Sequence, residues 1–401
     1  MKKSIFFAAL MMGAFMFTAC DKGGTPTTDS TKLWPAQEDE GTTWGYFNGK
    51  DAKLAVRAKY DQASPFSCGY ASVLEETDWK FIDKSGTVVS SKMPELDAAP
   101  GDFYFDVCRV SIDGVFAYLD KDFKKLTKQE FDVLGAMTAD GLADFSLKDE
   151  DLEGYCDKDG NIVIKAQWNG AGTFKDGIAV VREDDEKNNK STYFVIDKNG
   201  KVLYEQKDQM INLGEGRLGF QNDNGKWGML DKNGNEILGA TYGSISPFTD
   251  GLARVSHHSN GKVGYIDTKG NEVIEIQFED GEQCYEGLIW VQRYNSNHDG
   301  KWLLIDKKGN EKFELGKKQE PGMAYGFGGR AYAFYHNGLS LVTGESKYYY
   351  YDKNGEEVYA WKMANNGGSN PAPAAKMEMI NPMRGTEYGP IFEDYLRNIA
   401  K

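Results

Sequence analysis

The sequence predicts an all-β protein: a tandem array of three-stranded antiparallel meanders stacked face to face, propeller-like or openly superhelical. Three observations predict it. A phrase recurs about nine times along 401 residues, with a strand-turn-strand pattern in each copy. Each copy contains Asp-x-x-Gly, a hairpin signal in which Asp bonds local backbone and Gly supplies positive φ. The strands that flank the turn are apolar on both faces, so a single copy cannot bury its own surface.

The clearest copy runs FTDGLARV over 248–255 and KVGYIDTKGNEV over 262–273. The register marks are Asp83–Gly86, Asp157–Gly160, Asp197–Gly200, Asp231–Gly234, Asp267–Gly270, Asp306–Gly309 and Asp352–Gly355. A degenerate copy begins at Asp120, with Phe123 in place of Gly, and a first copy lies at Trp44-Gly45-Tyr46-Phe47-Asn48. Spacings from Asn48 onward are 35, 37, 37, 40, 34, 36, 39 and 46 residues, so one module is near 36 with insertions in the gaps. Each module reads as a first strand (GLARV), a central strand (VGYID) and a third strand after the turn. Ala253 and Val255 share one face and Leu252 and Arg254 the other. Gly264 and Ile266 lie opposite Tyr265. Small Gly and Ala residues are expected to let the aromatics of the next module approach. Nine turns but only eight first strands are legible, because nothing upstream of Trp44 resembles GLARV.

The phrase resembles the WG repeat, a β-rich repeat of bacterial surface and secreted proteins. Phe248 to Val255 match its first half, and Lys226-Trp227-Gly228-Met229-Leu230-Asp231 its second. Trp-Gly itself survives at Trp44–Gly45 and Trp227–Gly228; Val263 and Leu303 break it elsewhere. The resemblance covers roughly residues 44–360 by the repeat period. It implies a scaffold or binding role and brings no activity with it.

The remaining segments set the address. Lys2 and Lys3 precede an apolar run from Ile5 to Phe17, too short to span a bilayer comfortably, then Thr18-Ala19-Cys20. Small residues before a Cys resemble a bacterial lipobox, which implies cleavage before Cys20 and lipidation of Cys20. The alternative is an ordinary secretory signal. Residues 1–19 are then a signal peptide and 20–43 a lipidated Cys with a flexible tether. Residues 44–363 form the β-repeat domain, and 364–401 a linker with a short amphipathic helix or tail carrying Ile391, Tyr395 and Ile399. Asp21 and Lys22 after the Cys resemble the export signals of Bacteroidetes lipoproteins. The expected location is the outer membrane or cell surface of a Gram-negative bacterium.

The formal charge is −14, and it becomes −16 once Lys2 and Lys3 are removed. Such a chain is not drawn to nucleic acid by bulk electrostatics; basic partners suit it better. Four Cys remain beyond Cys20. Cys156 and Cys284 fall in slots held elsewhere by Ile266 and Phe248, which reads as buried free thiols, while an oxidising compartment leaves three pairings of Cys68, Cys108, Cys156 and Cys284 open.

No catalytic, cofactor or metal constellation is legible. The four histidines, His257, His258, His298 and His336, have no ligand spacing. Asp157, Asp159 and Asn161 faintly resemble a calcium loop but occupy the hairpin turn. The runs Lys148–Asp151 and Glu183–Glu186 read as solvated loop tips. The stretch 336–347 reads as an insertion able to carry binding determinants. Tyr348–Tyr351, Trp168, Trp290 and Trp361 either fill contacts between modules or stack on a ligand. The sequence therefore points to a lipid-anchored binding or scaffold protein facing protein or glycan. A carbohydrate-active enzyme using loop carboxylates and a purely structural envelope component are the alternatives.

Overall fold

A computed structural model describes residues 32–49, 53–185, 187–188, 190–294, 300–322 and 338–364. The signal, Cys20, His298, His336 and the C-terminal segment lie outside them. All regular structure among the described residues is β, in seven antiparallel sheets of three, four or seven strands. The seven-stranded sheets each hold two modules joined edge to edge, so the described residues contain nine modules.

The chain forms two compact bodies. Modules 3 to 7 make one, within Tyr104–Ile276; modules 1, 2, 8 and 9 make the other, from the two ends of the described chain. Each body follows the same stacking rule. In module 5, Ala179, Val181 and Ile196 join a cluster with Tyr155, Ile164 and Trp168 of module 4. From the same strands, Ile178, Val180 and Val195 join Met210, Leu218 and Phe220 of module 6. Alternation along a strand thus sends successive residues to opposite neighbours. Modules 6 and 7 meet likewise through Met229, Ala253, Val255 and Ile266. Mutual burial is what makes sheets this thin stable.

Module 1 corrects the expected tether. Trp34–Gln37 is a strand, antiparallel to Trp44–Phe47, with Trp34 opposite Phe47 and Gln37 opposite Trp44. Leu33-Trp34-Pro35-Ala36 therefore serves as the first strand that was missing upstream of Trp44. Pro35 hides the resemblance to GLARV, yet Trp34 and Ala36 are buried. They are buried partly by module 9: Leu341, Tyr348, Tyr350 and Trp361 share one cluster with Trp34, Trp44 and Phe47. Phe47 stacks on Tyr359 at 4.5 Å between ring centroids. The Tyr350 hydroxyl donates to the Pro35 carbonyl at 2.9 Å across 315 sequence positions. This is the contact that modules 1, 3 and 4 make on their successors: Tyr46 donates to the Ser64 carbonyl, Tyr118 to Gly135 and Tyr155 to Gly172. Module 9 treats module 1 as the next in line.

The glycines serve two different purposes. In the turns, the Asp carboxylate accepts the backbone N–H groups two and four residues on, as Asp267 does from Lys269 and Asn271. Gly270, three residues on, has φ of 81°. Phe123 takes up φ of 62° in the degenerate copy, so that turn survives without its Gly. The Trp-Gly glycine is different. The third strand bulges over it: Trp44 pairs with Tyr60 and Tyr46 with Val56, two residues against four. The same offset recurs at Glu153/Tyr155 and Trp227/Met229. A Cβ on Gly45, Gly154 or Gly264 would lie 2.3, 2.5 or 2.6 Å from a backbone carbonyl oxygen of the third strand. The sequence reading assigned this small residue to the neighbouring module; the backbone of its own sheet is what requires it.

Candidate functional site

The antiparallel order of each module places its two connections at opposite ends. The Asp-x-x-Gly turn joins the central strand to the third. The connection between first and central strands emerges at the other end. The turns are uniform, because their hydrogen bonds consume the Asp oxygens. Asp306 is held down to about 2 by the Asn310 side-chain amide, helped by the backbone N–H groups of Asn310 and Lys308. The first-to-central connections vary in length and sequence, and they are the elements that packing leaves free to carry function.

In the body of modules 3 to 7 these connections are 113–114, 148–152, the link from Asp185 to Lys190, 222–226 and 258–262, on five stacked modules. Of the acidic runs seen in sequence, Lys148–Asp151 lies in one of these connections, and Glu183–Asp185 is the paired strand end that leads into the next. Asp113, Asp149, Glu150, Asp151, Glu183, Asp184 and Asp185 are exposed. Arg182 partly neutralises Asp184 at 2.9 Å, whereas Lys148, the cation of the 148–152 connection, is engaged by Glu130 outside it at 3.2 Å. In the other body the equivalent positions carry Glu38, Asp39, Glu40, Glu76 and Asp78, again exposed. Two runs that read separately as loop tips therefore lie at the same end of successive modules 4 and 5; module 6 carries only Asp223 there, and module 7, over 258–262, carries no carboxylate.

Other candidates resolve differently. His257 and His258 are exposed, and the His257 Nδ1 engages Ser259. Asp157 is fully used by its turn, accepting from Asp159 and Asn161. Among the described residues no group of His, Cys, Asp and Glu is arranged to hold a metal. The stretch 336–347 is not a binding insertion where it is described. Leu339–Thr343 is the buried first strand of module 9, and Asn337-Gly338-Leu339 is its version of DGL. The long gap lies instead before it, outside the described residues.

The aromatics are core. Tyr348 and Tyr350 face module 1, while Tyr351 joins Leu288, Trp290 and Leu304 of module 8. Trp168, Trp290 and Trp361 are 6%, 1% and 1% exposed, which leaves no flat face for a sugar. Cys108, Cys156 and Cys284 are buried free thiols; Cys68 is not one of them. Burial, then the Asp144 carboxylate, pushes the Cys156 thiol up to about 12, which makes it inert at neutral pH.

Sequence reasoning missed one feature. Glu153 sits in the slot held by Trp44 and Trp227, and it is buried with Asp144 of the adjoining strand. Desolvation, then the Asp144 charge, raises its carboxyl to about 8, against the Ala171 N–H that donates to Oε2 at 2.6 Å. The signal was EGYC where the repeat has WGYx.

A family model described as the WG containing repeat matches residues 44–76, 154–186, 227–262 and 264–302. Each match starts in the central strand of one module, and all four run on into the first strand of the next, so the sequence repeat straddles the structural one. A search of curated proteins finds no match. Among solved structures, the crystal structure of the eukaryotic initiation factor is similar at 11% identity and TM-score 0.57, covering 83% of this chain and 96% of that one. Dihydro-heme d1 dehydrogenase NirN in complex with DHE follows at 13% identity and TM-score 0.42, over 84% and 74%. AztD from Citrobacter koseri is similar at 13% identity and TM-score 0.39, over 83% and 94%. The neighbours are β-propeller-like, and at 11% identity and TM-score 0.57 the first likeness is one of fold alone.

Proposed function

Taking as premise that this chain is a WG-repeat protein, we propose that it is a binding scaffold, lipid-anchored at Cys20 in the envelope of a Gram-negative cell. Its first-to-central connections engage a protein partner that is basic at the contact. The observation that carries the reading is the recurrence of exposed carboxylates at the first-to-central end of modules 3, 4 and 5, and again of modules 1 and 2, on a chain of formal charge −14. Charge of one sign on an edge steers a complementary partner and raises its association rate. A protein is favoured over a glycan because the candidate stacking aromatics are buried. A catalytic role has no observation in its favour.

The test is a pull-down from envelope extract with the lipid-free chain beginning at Asp21, beside a glycan array, at 50 and 500 mM salt. The expected result is a protein partner lost at high salt, because the screening length falls from over 10 Å to a few. Glycan capture without a protein partner, or hydrolysis of a polymer, would overturn it. For the anchor, Cys20→Ala is expected to abolish acyl labelling and release the protein. Undiminished labelling rules out Cys20 as the attachment point.

A further inference from the structure

The chain enters its first module at a defined end. Trp34 pairs with Phe47, the last central-strand residue before the Asn48–Gly49 turn, whereas Gln37 pairs with Trp44 at the far end. The entry and the turn touch: a Cβ on Gly49 would lie 3.0 Å from the Trp34 ring. The turns of the adjoining modules in this body lie at the same end. A Cβ on Gly86 of module 2 would meet Val56, just past the module 1 turn, at 2.9 Å. One on Gly355 of module 9 would meet Phe313, just past the module 8 turn, at 2.4 Å. Lys353 at the module 9 turn pairs with Glu286, which precedes the first strand of module 8, at 3.1 Å.

We infer that the mature protein stands with the Asp-x-x-Gly turns of modules 8, 9, 1 and 2 toward the lipid surface and the first-to-central connections of those modules pointing away from it. This rests on the lipidation of Cys20 proposed above. Twelve residue steps separate Cys20 from Lys32, a reach of at most about 40 Å when fully extended and roughly 20 Å for a Gly- and Ser-rich coil. The first strand of module 8, Leu288–Tyr294, sets the height of the body at roughly 20 Å. An anchor feeding the turn end keeps that end at the bilayer. Presenting the opposite edge would take the whole coil length simply to run back along the side of the body.

The turn end suits a headgroup layer. Its tips carry exposed Lys307 and Lys308, whose aliphatic stems let the ammonium groups reach phosphate. Exposed Val88 follows the module 2 turn. The Asp carboxylates between these lysines are taken up by their own turn amides. The acidic connections at the opposite edge, Glu38–Glu40 and Glu76–Asp78, then stand clear of an anionic surface that would repel them, and open to a partner.

The test places a fluorophore on single cysteines in the full lipidated chain, reconstituted into vesicles of phosphatidylethanolamine and phosphatidylglycerol with a headgroup quencher. Ser85→Cys and Lys308→Cys report the turn end; Glu76→Cys and Glu345→Cys report the opposite edge. All four positions are exposed, and signal from the unsubstituted chain is subtracted. The turn labels are expected to be quenched about twofold more or better, over the ~20 Å between the two ends. Equal quenching, or the reverse order, overturns the orientation while leaving the anchor intact. Flotation of the same samples separates the two ideas: a chain that does not float with the vesicles defeats the lipid reading and the orientation with it.

Discussion

Gly264 and Gly270 lie six residues apart in the same module and should fail for opposite reasons. Gly264 lies in the central strand, where an added Cβ would meet the Ile274 carbonyl oxygen at 2.6 Å, the Ile276 nitrogen at 2.8 Å and the Glu275 carbonyl carbon at 2.9 Å. All three are backbone atoms of a bulged strand. Relief requires the third strand to move by several tenths of an ångström and to loosen its pairing. Overpacking of a core costs about 1–3 kcal/mol and a lost ladder bond about 1. Gly264→Ala is therefore expected to destabilise by about 3 kcal/mol. Gly270 has φ of 81°, but its nearest neighbours would be 3.6 Å away, which is ordinary contact. Ala there pays only the left-handed backbone cost, about 1–2 kcal/mol; the bulkier Gly270→Val should cost about 1–3. Asn, which tolerates that conformation, should recover part of the loss at 270 and none at 264. Urea denaturation followed by tryptophan fluorescence measures each midpoint. If Gly264→Ala unfolds within about 0.5 kcal/mol of the parent, or Gly270→Ala is the worse of the two, the bulge account of the Trp-Gly glycine is wrong.

Further expectations concern other links in the chain. Glu153 titrates near 8 in the fold against an ordinary 4.5, so the folded state holds its proton where the unfolded chain has lost it. Stability should therefore fall as pH rises from about 4.5 to about 8, by a few kcal/mol in all, and Glu153→Gln should flatten that slope and raise stability at pH 8. Denaturation midpoints at pH 5 and 8 compare the two chains, and an unchanged slope in the variant excludes Glu153 as its source. Asp306, depressed to about 2, contributes stability that is present above its ordinary pKa and lost as pH falls through about 2; carboxyl NMR shifts should place its midpoint there. A chain begun at Trp44 loses Trp34 and Ala36 from the cluster they share with module 9, and Trp34→Ala alone should cost about 3–5 kcal/mol. Equal stability of chains begun at residues 21 and 44 would show that the contact of module 9 on the first strand of module 1 contributes nothing.

Much of the fold was legible because its determinants are local and repeated. Asp-x-x-Gly dictates a hairpin wherever it stands, since the Asp oxygens and the Gly φ act within five residues. Two-sided apolar strands demand stacking before any partner is known. The first strand at Trp34–Gln37 was not legible, because what makes it a strand is Tyr350 and Trp361, more than 300 positions away. Nor was the shared position of the acidic connections, since Asp149–Asp151 and Glu183–Asp185 are aligned by strand pairing and not by sequence pattern. Glu153 looked like one more surface acid until neighbouring strands enclosed it.

By itself, then, the sequence determined the module, its turn chemistry, the all-β class and the acidic balance, because short-range hydrogen bonding and side-chain alternation are written into each copy. Tertiary structure alone decided which module follows the last, why the Trp-Gly glycine tolerates no side chain, and which connections stand together. Those outcomes depend on where separate strands meet, and backbone contact between distant segments leaves no periodic trace in the chain that makes it.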